Sequence, residues 1–226
     1  GYRCPMTITN DGITALWQGT PDGVGVVAES GTGSICYGRR ADGATARAGG
    51  WGHILGDEGS AYDIAVRALR AVTRSADGRA GPTALAALIQ KELGIGRPED
   101  LIAWAYRSHT GKREIARLAK LVDAAAEKDD PAAAEILEKA GWELALCAGT
   151  VARRLGFDGP FPLVLAGGVL LHSRPVADAF RRHIRSRYPQ SRFCPLEGHD
   201  TAMGAVRIAR NQGGFSTSIG KGKGTV

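Results

Sequence analysis

Apolar and polar positions change period along this chain, and the changes mark its elements. Residues 6–9 form a short strand-like run, and 13–18 read as helix. From 23 to 52 the pattern is one of short strands: GVGVVAE, then SICYG, then a segment over 44–48, with Gly and Asp at the turns. Three strands on short turns predict an antiparallel meander. After Gly59 the period becomes helical. SAYDIAVRALRAV (60–72) spaces its apolar residues for a helix behind a Ser N-cap. Further helices are predicted at 82–93, with Pro82 in the first turn and Gly94 as the stop, and at 101–107, 112–127 and 131–155. FPLVLAGG reads as a buried strand, followed by a helix to about residue 188, a strand over 192–196 and a last helix over 201–211. These closing elements are βαβ-like, so strands four and five are expected to run parallel with right-handed connections. The expected class is α/β, a mixed five-stranded sheet with helices on both faces.

Composition narrows what such a fold does. A chain of 226 residues is long enough for one large domain or two small ones. Lys plus Arg number 29 against 23 Asp plus Glu, a net charge of +6. The basic residues are spread along helix-like segments, and no run alternates with aromatics as an RNA-binding surface would. The balance therefore suits an anionic small molecule such as a nucleotide rather than nucleic acid. Cys4, Cys36, Cys147 and Cys194 form no C-x-x-C pair and have no His at zinc spacing. They read as reduced, buried small hydrophobes in a cytoplasmic protein, with no metal site and no membrane partner. No signal peptide and no stretch of membrane-spanning length is evident. The chain opens without Met, which implies processing or a preceding segment. Residues 212–226 are rich in Gly, Ser and Lys and are expected to be disordered.

Four stretches carry candidate chemistry. SGTGS (30–34) sits where one strand turns into the next: either a tight hairpin, or a nest of backbone N–H groups for phosphate oxygens flanked by two hydroxyls. LAGGV (165–169) lies at the carboxyl end of a buried strand, where open α/β sheets bind ligands, and its glycines serve either close packing or close approach of a ring. In ITNDG (8–12), Asn10 and Asp11 are favoured helix caps, or Asp11 is a carboxylate at the mouth of a cleft. GGWGHILGDEGSAY (49–62) crowds glycines around Trp51, His53 and the Asp57–Glu58 pair, as if something must come close to the backbone.

Together, in this order and spacing, these strings resemble the N-acetylglucosamine kinase / BadF–BadG–BcrA–BcrD ATPase family of the sugar-kinase, heat-shock-protein-70 and actin superfamily. The resemblance runs from about Thr7 to Arg210, and GGWGHILGDEGS is its most specific part. It implies an actin-like (ribonuclease-H-like) ATPase lobe that transfers phosphate from ATP, with Mg²⁺, to the 6-hydroxyl of N-acetylglucosamine or glucosamine. By carry-over Asp11 takes the proton of that hydroxyl. Gly31, Thr32 and Gly33 hold phosphates. Ser34, Ile35, Gly50, Trp51, Gly52 and Asp57 face the sugar. Gly167, Gly168, Val169 and Leu170 border the adenosine together with Ala116. Trp51 has the alternative of a core position beneath the loop, His53 reads as structural, and Glu58 as a cap for the helix near Ser60. A homodimer is left open.

Two departures qualify the resemblance. Some family members carry Asn after the GTGS serine, where this chain has Ile35, so the sugar is open to change. The family also begins with a Gly-rich D-G-G-G-T phosphate loop, a string these 226 residues do not contain. The expected organisation is therefore a remnant of an N-terminal lobe over 1–20 and a C-terminal ATPase lobe over 21–211. Such a chain, by itself, is expected to turn over little. Two alternatives stand beside the kinase: an ATPase activator that couples hydrolysis to electron transfer, and a non-catalytic sugar- or nucleotide-binding protein.

Overall fold

A computed structural model describes residues 9–196 and 202–213 of the chain. The meander forms where the alternation places it. β1 (Gly25–Ser30), β2 (Ser34–Arg39) and β3 (Thr45–Gly49) pair antiparallel, with Val26 opposite Gly38 and Ile35 opposite Gly49. β4 (Pro162–Ala166) joins β1 in parallel and β5 (Arg192–Pro195) joins β4 in parallel, giving the order β3-β2-β1-β4-β5. β1 and β4 are central and almost wholly buried, which is why they read as continuous apolar runs.

Successive residues of β1 point to opposite faces. Val26 and Ala28 enter the larger core with Leu144 of α7 (Pro131–Arg154) and Phe180 of α9 (Arg174–Arg187). Val27 enters a smaller core on the other face with Ala15 and Leu16 of α1 (Asp11–Gly19). Helices therefore cover both faces of the mixed five-stranded sheet. α10 (Ala202–Gly213) packs along α1. From it the Arg207 guanidinium donates to the carbonyls of Trp17, Gln18 and Thr20 at 3.0, 2.8 and 3.3 Å, and so satisfies the open end of α1.

Side-chain caps start several helices. Ser60 accepts from the Asp63 N–H at the head of α2 (Ala61–Ala76). Asp130 accepts from the N–H of Ala133 at 2.9 Å in α7, and from the N–H of Ala84 at 2.6 Å at the head of α3 (Ala84–Leu93), so one carboxylate joins two helix ends.

Several boundaries differ from the pattern. The helix expected over 112–127 is two: α5 (Lys112–Ala116) and α6 (Ala119–Ala126). Between them Leu118 is buried against Ala65 and Trp104, and this packing turns the chain. The helix expected from 168 to about 188 is also divided, into α8 (Gly168–His172) and α9, because Pro175 has no N–H to continue a helix and sits instead in the first turn of a new one. α4 (Asp100–Ala105) stops two residues early, and α10 runs two residues past its expected end, taking 212 and 213 out of the expected disordered tail. The rest of that tail, 214–226, lies outside the described residues. So do 6–8 of the first strand-like run, and Thr9 takes no part in a strand. Cys36, Cys147 and Cys194 are free thiols. Burial pushes Cys36 up and Cys147 up to about 11, so neither is a nucleophile. Among the described residues no helix is long and apolar enough to cross a membrane.

Candidate functional site

The turn between β1 and β2 is fastened from both sides. Its Gly31 carbonyl accepts the Ala61 N–H at 2.9 Å, and the Ser30 hydroxyl before it donates to the Gly59 carbonyl at 2.8 Å. The Gly31 N–H turns inward to the Gly33 carbonyl at 2.9 Å. Gly31 is thus spoken for as a backbone donor, and no such bond from Thr32 or Gly33 occurs among the described residues. On the opposite side Gly167 has φ +84°, and a Cβ there would lie 2.3 Å from the Ser30 carbonyl oxygen. Only glycine lets the end of β4 rest against the end of β1.

A cleft of about 520 Å³ opens beside this turn. Gly31, Thr32, Ala116, Gly168 and Val169 all line it, so residues taken from three distant strings meet in one place. Leu170 does not join them. It is 1% exposed and belongs to the core, because it stands on the inner side of α8. Gly167 forms the hinge behind the cleft rather than its wall. Ala61, Ile64, Ala119, Lys120, Asp123, His172 and Ser173 complete the lining and were not legible in the sequence. A second cavity of about 310 Å³ shares Thr32, Ala61 and Ala116 and adds Arg113 and Arg117, one helical turn apart and suited to anionic oxygens.

Asp57 stands at the foot of the same turn. It is 3% exposed, and its φ of +63° is a conformation non-glycine residues avoid. Its Oδ1 accepts the Ser34 N–H at 3.2 Å, and its Oδ2 accepts from Lys112 Nζ at 2.6 Å. Both groups fill the space beside Gly33, where a Cβ would lie 2.9 Å from Nζ and 3.0 Å from the carboxylate. Ser34 donates its hydroxyl to the Glu58 carbonyl at 2.8 Å. Glu58 does not cap the helix, since Ser60 holds that role and Asp63 accepts the Gly59 N–H at 3.0 Å.

Gly50 and Gly52 both take positive φ as the loop crosses the end of β2, and Ile35 packs against Gly50. Trp51 is not a core residue. It is 64% exposed, with the Arg47 guanidinium 4.7 Å from its ring centre, because the left-handed glycines on either side lift it off the sheet. His53 meets the Tyr62 ring edge-on at 5.0 Å, a packing role.

Asp11 lies in the first turn of α1, exposed, and Asn10 supplies the cap by accepting the Ile13 N–H at 3.0 Å. Its neighbour is Glu29 at the end of β1. Burial, and then the Asp11 charge, push the Glu29 carboxyl up. Among the described residues no group of three His, Cys, Asp or Glu forms a metal cage.

Residues 3–209 match the profile of the family described as BadF/BadG/BcrA/BcrD ATPase. An N-acetylmuramic acid/N-acetylglucosamine kinase of Clostridium acetobutylicum is 40% identical over 94% of this chain and 69% of its own length. An N-acetyl-D-glucosamine kinase of Dictyostelium discoideum is 35% identical over 93% of this chain and 67% of its own. Among solved structures, a Chromobacterium violaceum protein provisionally assigned as an N-acetylglucosamine kinase is similar with a TM-score of 0.70 at 31% identity. That match covers 87% of this chain and 63% of that one, so the chain spans less than two thirds of this structural relative.

Proposed function

The chain belongs to the BadF/BadG/BcrA/BcrD ATPase family, and with that as premise we propose that it serves ATP-dependent transfer of phosphate to the 6-hydroxyl of an amino sugar. One observation carries the reading: the 31–33 turn is shared, with the nucleotide-sized cleft on one side and the buried Asp57 carboxylate on the other. A group held at that turn lies between a nucleotide and a sugar, where phosphoryl transfer needs it. The named relatives favour a kinase over an electron-transfer activator.

In this reading Thr32 and Gly33 present N–H groups to the phosphates, and Arg113 and Arg117 balance their charge. Ala116, Gly168 and Val169 border the adenosine. Asp57 accepts from sugar hydroxyls on the lone pairs that Ser34 and Lys112 leave open. Gly50, Trp51 and Gly52 lie along the sugar. Asp11, exposed and one residue past the cap, accepts the proton of the attacking hydroxyl. Mg²⁺ is carried mainly by phosphate oxygens and water and asks one or two carboxylates of the protein. Glu29 and Asp11 fit as oxygen donors, and the ion would neutralise charge on the transferring group. Use of ATP and the free thiols Cys36, Cys147 and Cys194 support a cytoplasmic protein. Its assembly, monomer or homodimer, is open to light scattering.

The test is sugar-dependent ADP release by the full chain with N-acetylglucosamine, glucosamine and N-acetylmuramic acid, followed by phosphorus NMR of the product. Calorimetric titration with each sugar and with a non-hydrolysable ATP analogue runs beside it. Both sugar and nucleotide are expected to bind, and what turnover occurs is expected to give the 6-phosphate. Binding of neither sugar nor nucleotide would overturn the reading.

A further inference from the structure

The cleft has two chemically distinct ends. One is the 31–33 turn, with Gly168 against it. The other, a turn further along α6 and α8 than Ala119 and Gly168, is formed by Asp123, His172 and Ser173. Between them the lining is apolar, with Ile64, Ala119 and Val169, except for Lys120.

At the far end Ser173 occupies the N-cap position of α9, yet its side chain caps nothing. Serine is placed at such positions because its hydroxyl can accept a helix N–H. Here the hydroxyl, on a residue only 6% exposed, instead donates to Asp123 Oδ1 at 2.6 Å. The helix start goes without its cap so that a carboxylate can be held on the wall of the cleft. Oδ1 is engaged, while among the described residues no hydrogen bond to Oδ2 occurs, and Asp123 lines the cleft. Burial, with a smaller push from the Glu127 charge and against the pull of the Ser173 bond, keeps the carboxyl above its usual range. An acceptor of this kind asks for a donor from the ligand.

We infer that Asp123, held by Ser173, selects the base of the nucleotide by accepting a hydrogen bond from the exocyclic amine of adenine. This rests on the reading of the cleft as a nucleotide site. With phosphates at the 31–33 turn, the base falls at the Asp123 end. Hypoxanthine and guanine present a carbonyl oxygen where adenine carries its amine, so in the adenine pose that oxygen would repel the carboxylate, and the base would have to shift to offer its N1–H instead.

Equilibrium titration of the full chain with ATP, inosine triphosphate and 2′-deoxy-ATP tests the inference, each with wild type, Asp123→Asn and Ser173→Ala. Wild type is expected to bind ATP about 10- to 100-fold more tightly than the inosine nucleotide, the size of one hydrogen bond to a charged group. Asp123→Asn carries a donor that can turn to the inosine carbonyl, and is expected to lose or reverse that preference with its melting temperature nearly unchanged. Ser173→Ala is expected to weaken the preference without reversing it. Equal wild-type affinity for ATP and the inosine nucleotide would overturn the inference. So would a preference that survives in Asp123→Asn while discrimination against 2′-deoxy-ATP disappears, because Asp123 would then read the ribose. Failure of wild type to bind any of the three nucleotides would instead remove the nucleotide reading itself.

Discussion

Lys112 Nζ lies 2.6 Å from Oδ2 of Asp57, across 55 residues of sequence. The pair joins the start of α5 to the loop before α2, over the backbone of Gly33. Asp57 is therefore not a helix cap but a buried carboxylate with one cationic and one amide partner. Asp57→Ala is expected to weaken sugar binding by about 1.5–3 kcal/mol and nucleotide binding far less. Lys112, whose side chain is 31% exposed, can turn to water when its partner is removed, so the stability loss should stay below the 3–5 kcal/mol typical of broken, fully buried pairs. Titration with sugar and with nucleotide, alongside a melting curve, reads all three quantities. Equal loss of both ligands would mean that the loop had collapsed.

In a full-length form with measurable turnover, Asp11→Asn is expected to lower that turnover by about 100-fold or more, with both substrates still bound, since a general base acts only as the proton moves. Asn10 supplies the α1 cap through its own side chain, so the folded state should be little affected. Steady-state kinetics that show kcat unchanged would return Asp11 to the role of a first-turn acid.

Glu29→Gln separates charge from shape beside Asp11. The folded carboxyl is raised, first by burial and then by Asp11, so the ionised form costs the native state at neutral pH. For such a group stability rises as pH falls through the raised native value towards the unfolded one, near 4.3. Wild type should therefore gain in melting temperature as pH falls towards about 4.3, and the glutamine variant should lack this gain while melting higher at pH 7. Parallel pH profiles for the two proteins would count against the coupling.

Asp130→Ala removes a carboxylate that serves α3 and α7 together. Burial opposes its charge, but the N–H groups of Ala133 and Ala84 and the Thr83 hydroxyl outweigh burial and hold the carboxyl below its usual range. The expected cost is about 2–3 kcal/mol, that of two caps. Because the native value is lowered, this contribution is full above about pH 4 and is lost as pH falls through the native value. Denaturant melts of both proteins at pH 7 and pH 3 should show the gap narrowing.

Gly167→Ala places a Cβ against the Ser30 carbonyl and asks alanine to hold φ +84°. With ψ at 151° the backbone alone costs about 1–3 kcal/mol, and the contact adds to it. A melting curve close to wild type would show that the β4–α8 junction has slack the packing does not suggest.

The amino-acid sequence by itself determined the period of each element, the meander and its turns, the parallel closing strands and the places where glycine must be. Those features are local: they follow from alternation, from caps such as Ser60, and from stops such as Gly94. It also marked the strings that the fold gathers around the 31–33 turn. Only the tertiary structure decided which side chains meet there. Lys112 reaches Asp57 across 55 residues and Ser173 reaches Asp123 across 50, and no local pattern specifies either approach. Leu170 sits one residue after a lining residue yet faces the core, because one step along a helix turns a side chain by about 100°. The helix over 112–127 breaks at Leu118 because burial against Trp104 outweighs propensity. Periodicity fixes what a segment is, whereas packing fixes what it touches.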